Sequence, residues 1–242
     1  MPGGGLDLER AATADSSRHR AEAGDASPPH EGERRWPMAA AVVMAMVLTF
    51  LLPKDVRAGP PWLLPSLEGL MLVSLIAVDP WRIDRQTAAL QRLSVGLVCL
   101  LVFDALWSTG WLVNELIHGG PATKSADALL DAGVLTWVLN IIAFSLFYWE
   151  FDGGGPVARF KHTRDDRDLV FPQELSPEFA SRAWRPLYAD YLYLGFTAAT
   201  AFSPTDVMPF ARWAKLAMML QSMVSLVVVT LVVARAVNVL AA

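Results

Sequence analysis

Six apolar runs, each near the length of a membrane-crossing helix, restrict this chain more than any other feature of its sequence. They cover residues 36–53, 62–81, 93–117, 128–149, 187–202 and 211–240. A spanning helix needs roughly 20 mostly apolar residues at a rise of about 1.5 Å each. Lipid offers no water to satisfy a backbone amide, so such runs can cross only as helices. Hydrophobic residues make up 54% and charged residues 18% of the 242 positions, and the mean hydropathy is +0.36; that balance excludes an ordinary soluble domain. The expected fold is an all-α membrane protein, a bundle of about six transmembrane segments with the lipid bilayer as its first partner. The fifth run is the shortest, and two readings of 187–202 stay open: a full crossing, or a re-entrant half-helix.

Tryptophans and basic residues support these limits. Trp36, Trp62, Trp81, Trp149 and Trp213 fall at the ends of the runs, where indoles prefer the headgroup layer. Trp107, Trp111 and Trp137 lie inside them and are read as helix packing. Arg10, Arg18, Arg20, Arg34 and Arg35 precede the first run, Arg82, Arg85 and Arg92 follow the second, and Arg159, Lys161, Arg164, Arg167, Arg182 and Arg185 follow the fourth. The intervening loops carry only Lys54, Arg57 and Lys124. Short cytoplasmic loops accumulate Lys and Arg, so the amino terminus is expected in the cytoplasm.

Residues 1–35 mix Gly, Pro, Ser and both charge signs without apolar periodicity, and a disordered tail is expected there. It does not read as a secretory signal, because Arg34 and Arg35 sit against the first run and no small-residue cleavage site follows it. The organisation expected is thus a tail over 1–35, four helices over 36–150, a polar loop over 151–186 and a final unit over 187–242. Within the loop, Ser176 and Pro177 predict a short surface helix from 177 to about 184. The net charge of −4 implies no nucleic-acid partner. Cys99, the single cysteine, is read as a small buried hydrophobe.

Chemistry finds few residues. His162 stands among Asp165, Asp166 and Asp168, but Arg164 and Arg167 interleave with them, which reads as a solvated charge cluster rather than a metal site. The runs hold no His pair, Ser-His-Asp set, Gly-rich phosphate loop or His-Glu-x-x-His pattern. No cofactor and no enzymatic activity are expected. The polar residues inside the runs are the stronger lead, since an ionisable group costs about 2.5–3.5 kcal/mol at the bilayer centre. Asp104 is the deepest carboxylate; Glu68 and Asp131 lie within two turns of their helix ends, where an interface would hydrate them; Asn140 and Gln221 are central. Gln221, Ser222 and Ser225 form a polar stripe on the last helix, fit either to line a path or to join helices.

The segment "DYLYLGFTAATAFSPTDVMPFARWAKLAMMLQSMVSLVVVTLVV" resembles the pore loop and inner helix of potassium-channel modules: a short aromatic helix, a Thr-rich end, a polar turn closed by Asp, a Pro and a long apolar helix. Thr197, Thr200, Asp206 and Pro209 match by type. The filter departs from the channel pattern, which needs Thr-Val-Gly-Tyr-Gly where this chain has "TAFSPT", without the glycines that aim successive carbonyls at an axis. From about residue 165 onward the chain also resembles an uncharacterised family of bacterial multi-pass membrane proteins, which implies a bacterial inner membrane and no known activity.

Ser203 also reads as a helix N-cap, with Pro204 and Asp206 in the first turn. Two functional expectations follow. One is permeation of ions or protons using Asp104, Thr197, Thr200, Ser203, Asp206 and Gln221, which requires a symmetric homo-oligomer if single copies are to build a pore. The other is a non-conducting scaffold whose polar residues only pack helices.

Overall fold

Lipid forces backbone groups into helices, and helices account for most of the chain in the computed structural model, which describes residues 33–78, 83, 87–119, 125–161, 167–181, 184–200 and 206–240. In chain order the helices are α1 (Trp36–Leu51), α2 (Leu63–Val78), α3 (Ala88–His118), α4 (Ala126–Phe151), α5 (Pro156–Phe160), α6 (Pro172–Leu175), α7 (Tyr188–Thr200) and α8 (Arg212–Leu240). A 3-10 turn over Asp152–Gly154 and two short strands, β1 (Leu169–Val170) and β2 (Met208–Pro209), complete the set among the described residues. α3, α4 and α8 are long and apolar enough to cross a membrane, while α1 and α2 are apolar but shorter, at 16 residues each. Side chains set the ends of the long helices. Thr87 accepts the Leu90 N–H to start α3, Ser125 accepts the Ala128 N–H to start α4, and Gly119 closes α3 in the left-handed region at φ +77°.

α4 lies at the centre and is packed by α1, α3, α7 and α8. It runs antiparallel to α3, with the Ser94 hydroxyl donating to Glu150 at 2.7 Å. It is also antiparallel to α8: Trp213 lies against Phe147 and Phe151 near one end, Trp137 Nε1 donates to Ser225 in the middle, and Gly133 meets Val232 towards the other end. α7 and α8 run the same way, because Gln221, Ser222 and Ser225 reach Gly195, Ala198 and Ala199 in rising order. Both begin at the end where α4 finishes. There Tyr191 OH donates to Asp152 at 2.5 Å, and β1 pairs antiparallel with β2 through Leu169 with Pro209 and Val170 with Met208. At 13 residues, α7 extends only about 20 Å into the bundle.

Several expectations change. The last residues of the expected tail are docked: Arg35 is buried, and the Glu33 carboxylate accepts Trp149 Nε1 at 2.9 Å and the Tyr188 N–H at 2.7 Å, while its backbone carbonyl accepts the Ile83 N–H. Trp149 is therefore buried rather than at a headgroup layer. The surface helix expected over 177–184 is replaced by α6, because Glu174 accepts the Phe171 N–H and closes a cap around Pro172, leaving single turns after Ser176. The long helix starts at Arg212 rather than beside Ser203, because β2 holds Met208–Pro209 extended and Asp168 O accepts the Phe210 and Ala211 N–H groups. Ser203, the His162 cluster apart from Arg167 and Asp168, Trp81 and most of residues 1–35 lie outside the described residues. Cys99 is exposed, not buried, since it shares an outer stripe of α3 with Phe103 and Trp107. Trp107 and Trp111 likewise face outward and stack on each other at 6.0 Å, so neither packs between helices.

Two predictions follow from this packing. A Cβ at Gly195 would lie 2.3 Å from Ser145 Oγ and 3.1 Å from the Ile141 carbonyl, so Gly195→Ala pushes α7 off α4. The expected loss is about 1–3 kcal/mol, read as a lower unfolding midpoint of the detergent-purified protein. Burial holds the Glu33 carboxyl above its ordinary value of 4.5, against the hydrogen bonds from Trp149 and Tyr188 and the Arg159 charge that favour ionisation. The docked form thus binds a proton more tightly than the undocked one, and this contribution to stability is complete below the ordinary value and fades as pH rises through the docked one. Glu33→Gln should flatten that part of the stability profile; an unchanged slope would contradict the docking.

Candidate functional site

A helix leaves its last four carbonyls without partners inside the helix. In α7 these belong to Thr197, Ala198, Ala199 and Thr200, at an end set against the middle of α8. The polar stripe of α8 supplies the missing donors: Ser222 Oγ reaches Ala198 O at 3.0 Å and Ser225 Oγ reaches Ala199 O at 2.7 Å. Thr200 Oγ1 turns back to Phe196 O at 2.9 Å and to Thr197 O at 3.5 Å. One turn earlier, Gln221 Nε2 donates to Gly195 O at 2.8 Å while its Oε1 accepts the Tyr148 hydroxyl at 2.7 Å, tying α4, α7 and α8 together. Ser225 Oγ also accepts Trp137 Nε1.

The opposite side of α7 is exposed. Leu192, Tyr193, Phe196 and Thr200 form one stripe, with Thr197 half-buried beside it. Thr197 Oγ1 bonds back to Tyr193 O and Leu194 O, each at 3.0 Å. Asp206 accepts the Tyr193 hydroxyl at 2.8 Å, holding the residues before β2 against the first turns of α7.

A buried polar network pins the start of this unit. Arg159 donates to the carbonyls of Trp149 and Asp152, both at 2.6 Å, and lies over the Tyr191 ring at 4.9 Å. Asp152 accepts the Leu169 N–H and the Tyr191 hydroxyl, and Asp168 accepts the Gly153 N–H. Beside it a cavity of about 40 Å³, lined in part by Arg35, Gln91, Ser94 and Glu150, has room for a water or two.

The expected site residues therefore fall into two constellations. Thr197, Thr200, Asp206 and Gln221 belong to the α7–α8 unit. Asp104 does not: it is fully buried, turns towards α1 and accepts the Thr49 hydroxyl at 2.5 Å. Glu68, which its position suggested as hydrated, is fully buried on α2, the helix that packs against both α1 and α3. Asn140 is buried on α4 and Asp131 is exposed on the same helix. Sequence reasoning missed Tyr148, Ser145, Thr49 and Arg159, and no spacing along the chain announces them, because each acts across a tertiary contact. Compared with protein-family models, curated proteins and solved structures, the chain matches none.

Ser225→Ala should leave the Ala199 carbonyl and Trp137 N–H without partners, at a cost of about 1–3 kcal/mol. Ser74, an exposed hydroxyl that bonds only Leu70 O of its own helix, is the control; Ser74→Ala should leave the unfolding midpoint unchanged.

Proposed function

We propose that this is a channel-like integral membrane protein in which α7 is a re-entrant half-helix and α8 the adjoining inner helix. Copies of the chain assemble about an axis, and their exposed α7 stripes border a path for ions or protons. The observation that carries the reading is the direction of α7: it and α8 start at the same end of the bundle, joined there by β1 and β2, while the carbonyl end of α7 meets the middle of α8. A helix carbonyl end aimed into a membrane protein is a device for meeting cations. The resemblance to pore-loop modules agrees with this arrangement, and Thr197, Thr200 and Asp206 take the positions matched by type. Potassium selectivity of the carbonyl-filter kind is no part of the proposal, since no glycine follows Gly195.

The basic residues give the orientation. Arg34, Arg35, Arg92, Arg159, Lys161, Arg167, Arg185, Arg212 and Lys215 gather at the end where α7 begins, with Lys54, Arg57 and Arg235 at the other. By the positive-inside bias that end, and with it the amino terminus, faces the cytoplasm of a bacterial inner membrane. α7 would enter from the cytoplasmic side, the inverse of the channel modules it resembles. A second reading has its own observation: Thr197, Thr200, Gln221, Ser222 and Ser225 all bond protein groups, which a non-conducting scaffold would use to hold helices.

Single cysteines in a Cys99→Ala background separate the topologies. Val170→Cys and Met208→Cys should label from the same side of intact cells or spheroplasts, and Lys54→Cys from the other. Labelling of Met208→Cys from the Lys54 side would overturn re-entry. With re-entry in hand, flux of cations or protons into liposomes holding the pure protein, reduced by Thr200→Val or Asp206→Asn, supports conduction; no flux supports the scaffold.

A further inference from the structure

We infer that Glu68 and Asp104 form the charged part of a buried site for a small monovalent cation, sodium in the first instance, which competes there with protons. The site lies among α1–α4 and stands independently of the pore-loop reading. Both carboxylates are fully buried, and among the described residues no basic side chain is paired with either. Among the described residues, Asp104 Oδ2 is paired with the Thr49 hydroxyl, and both oxygens of Glu68 and Asp104 Oδ1 have no partner. Gly69, next to Glu68, lies against Met46, one turn from Thr49, so α1, α2 and α3 meet at this level.

A second set of atoms points to the same level. Asn140 is 1% exposed, Ser108 and Thr136 are fully buried, and among the described residues neither the Asn140 amide nor either hydroxyl has a partner. The bond between Ser94 and Glu150 fixes the antiparallel register of α3 and α4. Counting ten residues inward along each helix puts Asp104 and Asn140 at one height, and Ser108, four residues on from Asp104, lies one turn away on the same face of α3. Buried polar atoms are almost always satisfied, and among the described residues the Ser108 hydroxyl, one turn from Asp104 on α3, is not, which adds a neutral oxygen beside the carboxylates.

An oxygen-rich set suits a hard cation. With one of the two carboxyls protonated the pair would carry a single negative charge, which a monovalent ion balances and a divalent ion would overshoot. Among the described residues no group of three or more His, Cys, Asp or Glu gathers as a metal site for divalent ions would require.

The test is thermal unfolding of the full chain in detergent at alkaline pH, titrated with sodium, lithium, potassium or choline chloride at constant ionic strength. Sodium or lithium should raise the midpoint in a saturable way, beyond potassium and choline, and mildly acidic pH should remove the response. Glu68→Gln and Asp104→Asn relieve buried charge, so both should fold, and each should abolish the saturable shift. Thr49→Val, which removes a positioning partner, should weaken the apparent sodium affinity about tenfold. Equal midpoints in all four salts, a potassium response matching that of sodium, or a sodium shift persisting in Asp104→Asn would overturn the site. A midpoint that follows pH but no cation would reduce it to a shared proton and overturn it too.

Discussion

The end of α7 poses the problem that the rest of the structure answers. Helix termini normally finish in water, where orphan carbonyls find partners without cost. A helix that stops after 13 residues inside a bundle has no such recourse, and lipid charges several kcal/mol for each group left bare. The donors come from α8, whose Ser222 and Ser225 hydroxyls cap Ala198 and Ala199 from the side. That requirement fixes the relative height of two helices to within a fraction of a turn. It also explains why the one conspicuous polar stripe in an otherwise oily helix falls at 221–225.

Height alone does not bring α7 close enough, and here α4 contributes. Gly195 presents no side chain to α4, so the α7 backbone settles against Ser145 and Ile141, and Ser145 keeps its own hydroxyl on Ile141 O at 2.6 Å. Tyr148 then reaches past α7 to Gln221. Small residues at the contact and hydrogen bonds across it are what membrane helices use for association, since lipid removes the hydrophobic drive between them. The buried Arg159 network plays the matching part at the open end, where β1, β2 and the first turn of α7 are all tied to the last turn of α4.

Helix positions were legible because hydropathy reports the solvent directly: the predicted runs and the observed helices differ by no more than five residues at any end. Orientation of faces was less so. Trp149 and Cys99 were misplaced because a run that is apolar all round gives no periodic signal for which side meets lipid. The reading of Ser203 as a helix cap failed for a different reason: "SPTD" is a sound local cap, but a two-residue strand pair formed with a segment some forty residues upstream outweighs it. Glu68 was judged by its distance from a helix end, whereas its burial depends on α1 and α3 closing over it.

Asp104 and the α7–α8 unit were expected to share a path, and their separation bears on what each can do. Between the Ser94–Glu150 level and the Asp104–Asn140 level lie ten residues, about 15 Å of helix; α3 buries Leu97, Val98 and Leu101 there, and the buried Ser145 and Tyr148 of α4 are bonded to Ile141 O and Gln221. Between Ser94 and Asp104, α3 places no hydroxyl, amide or charged side chain, so it offers no chain of hydrogen bonds from the basic end to the acids. A proton or cation held by Glu68 and Asp104 is thus retained rather than passed along the α3–α4 seam of one chain. Conduction, in the proposed reading, belongs to the exposed side of α7 and needs a second copy, so the acids act as a fixed counterweight within the four-helix part and the moving charge runs elsewhere.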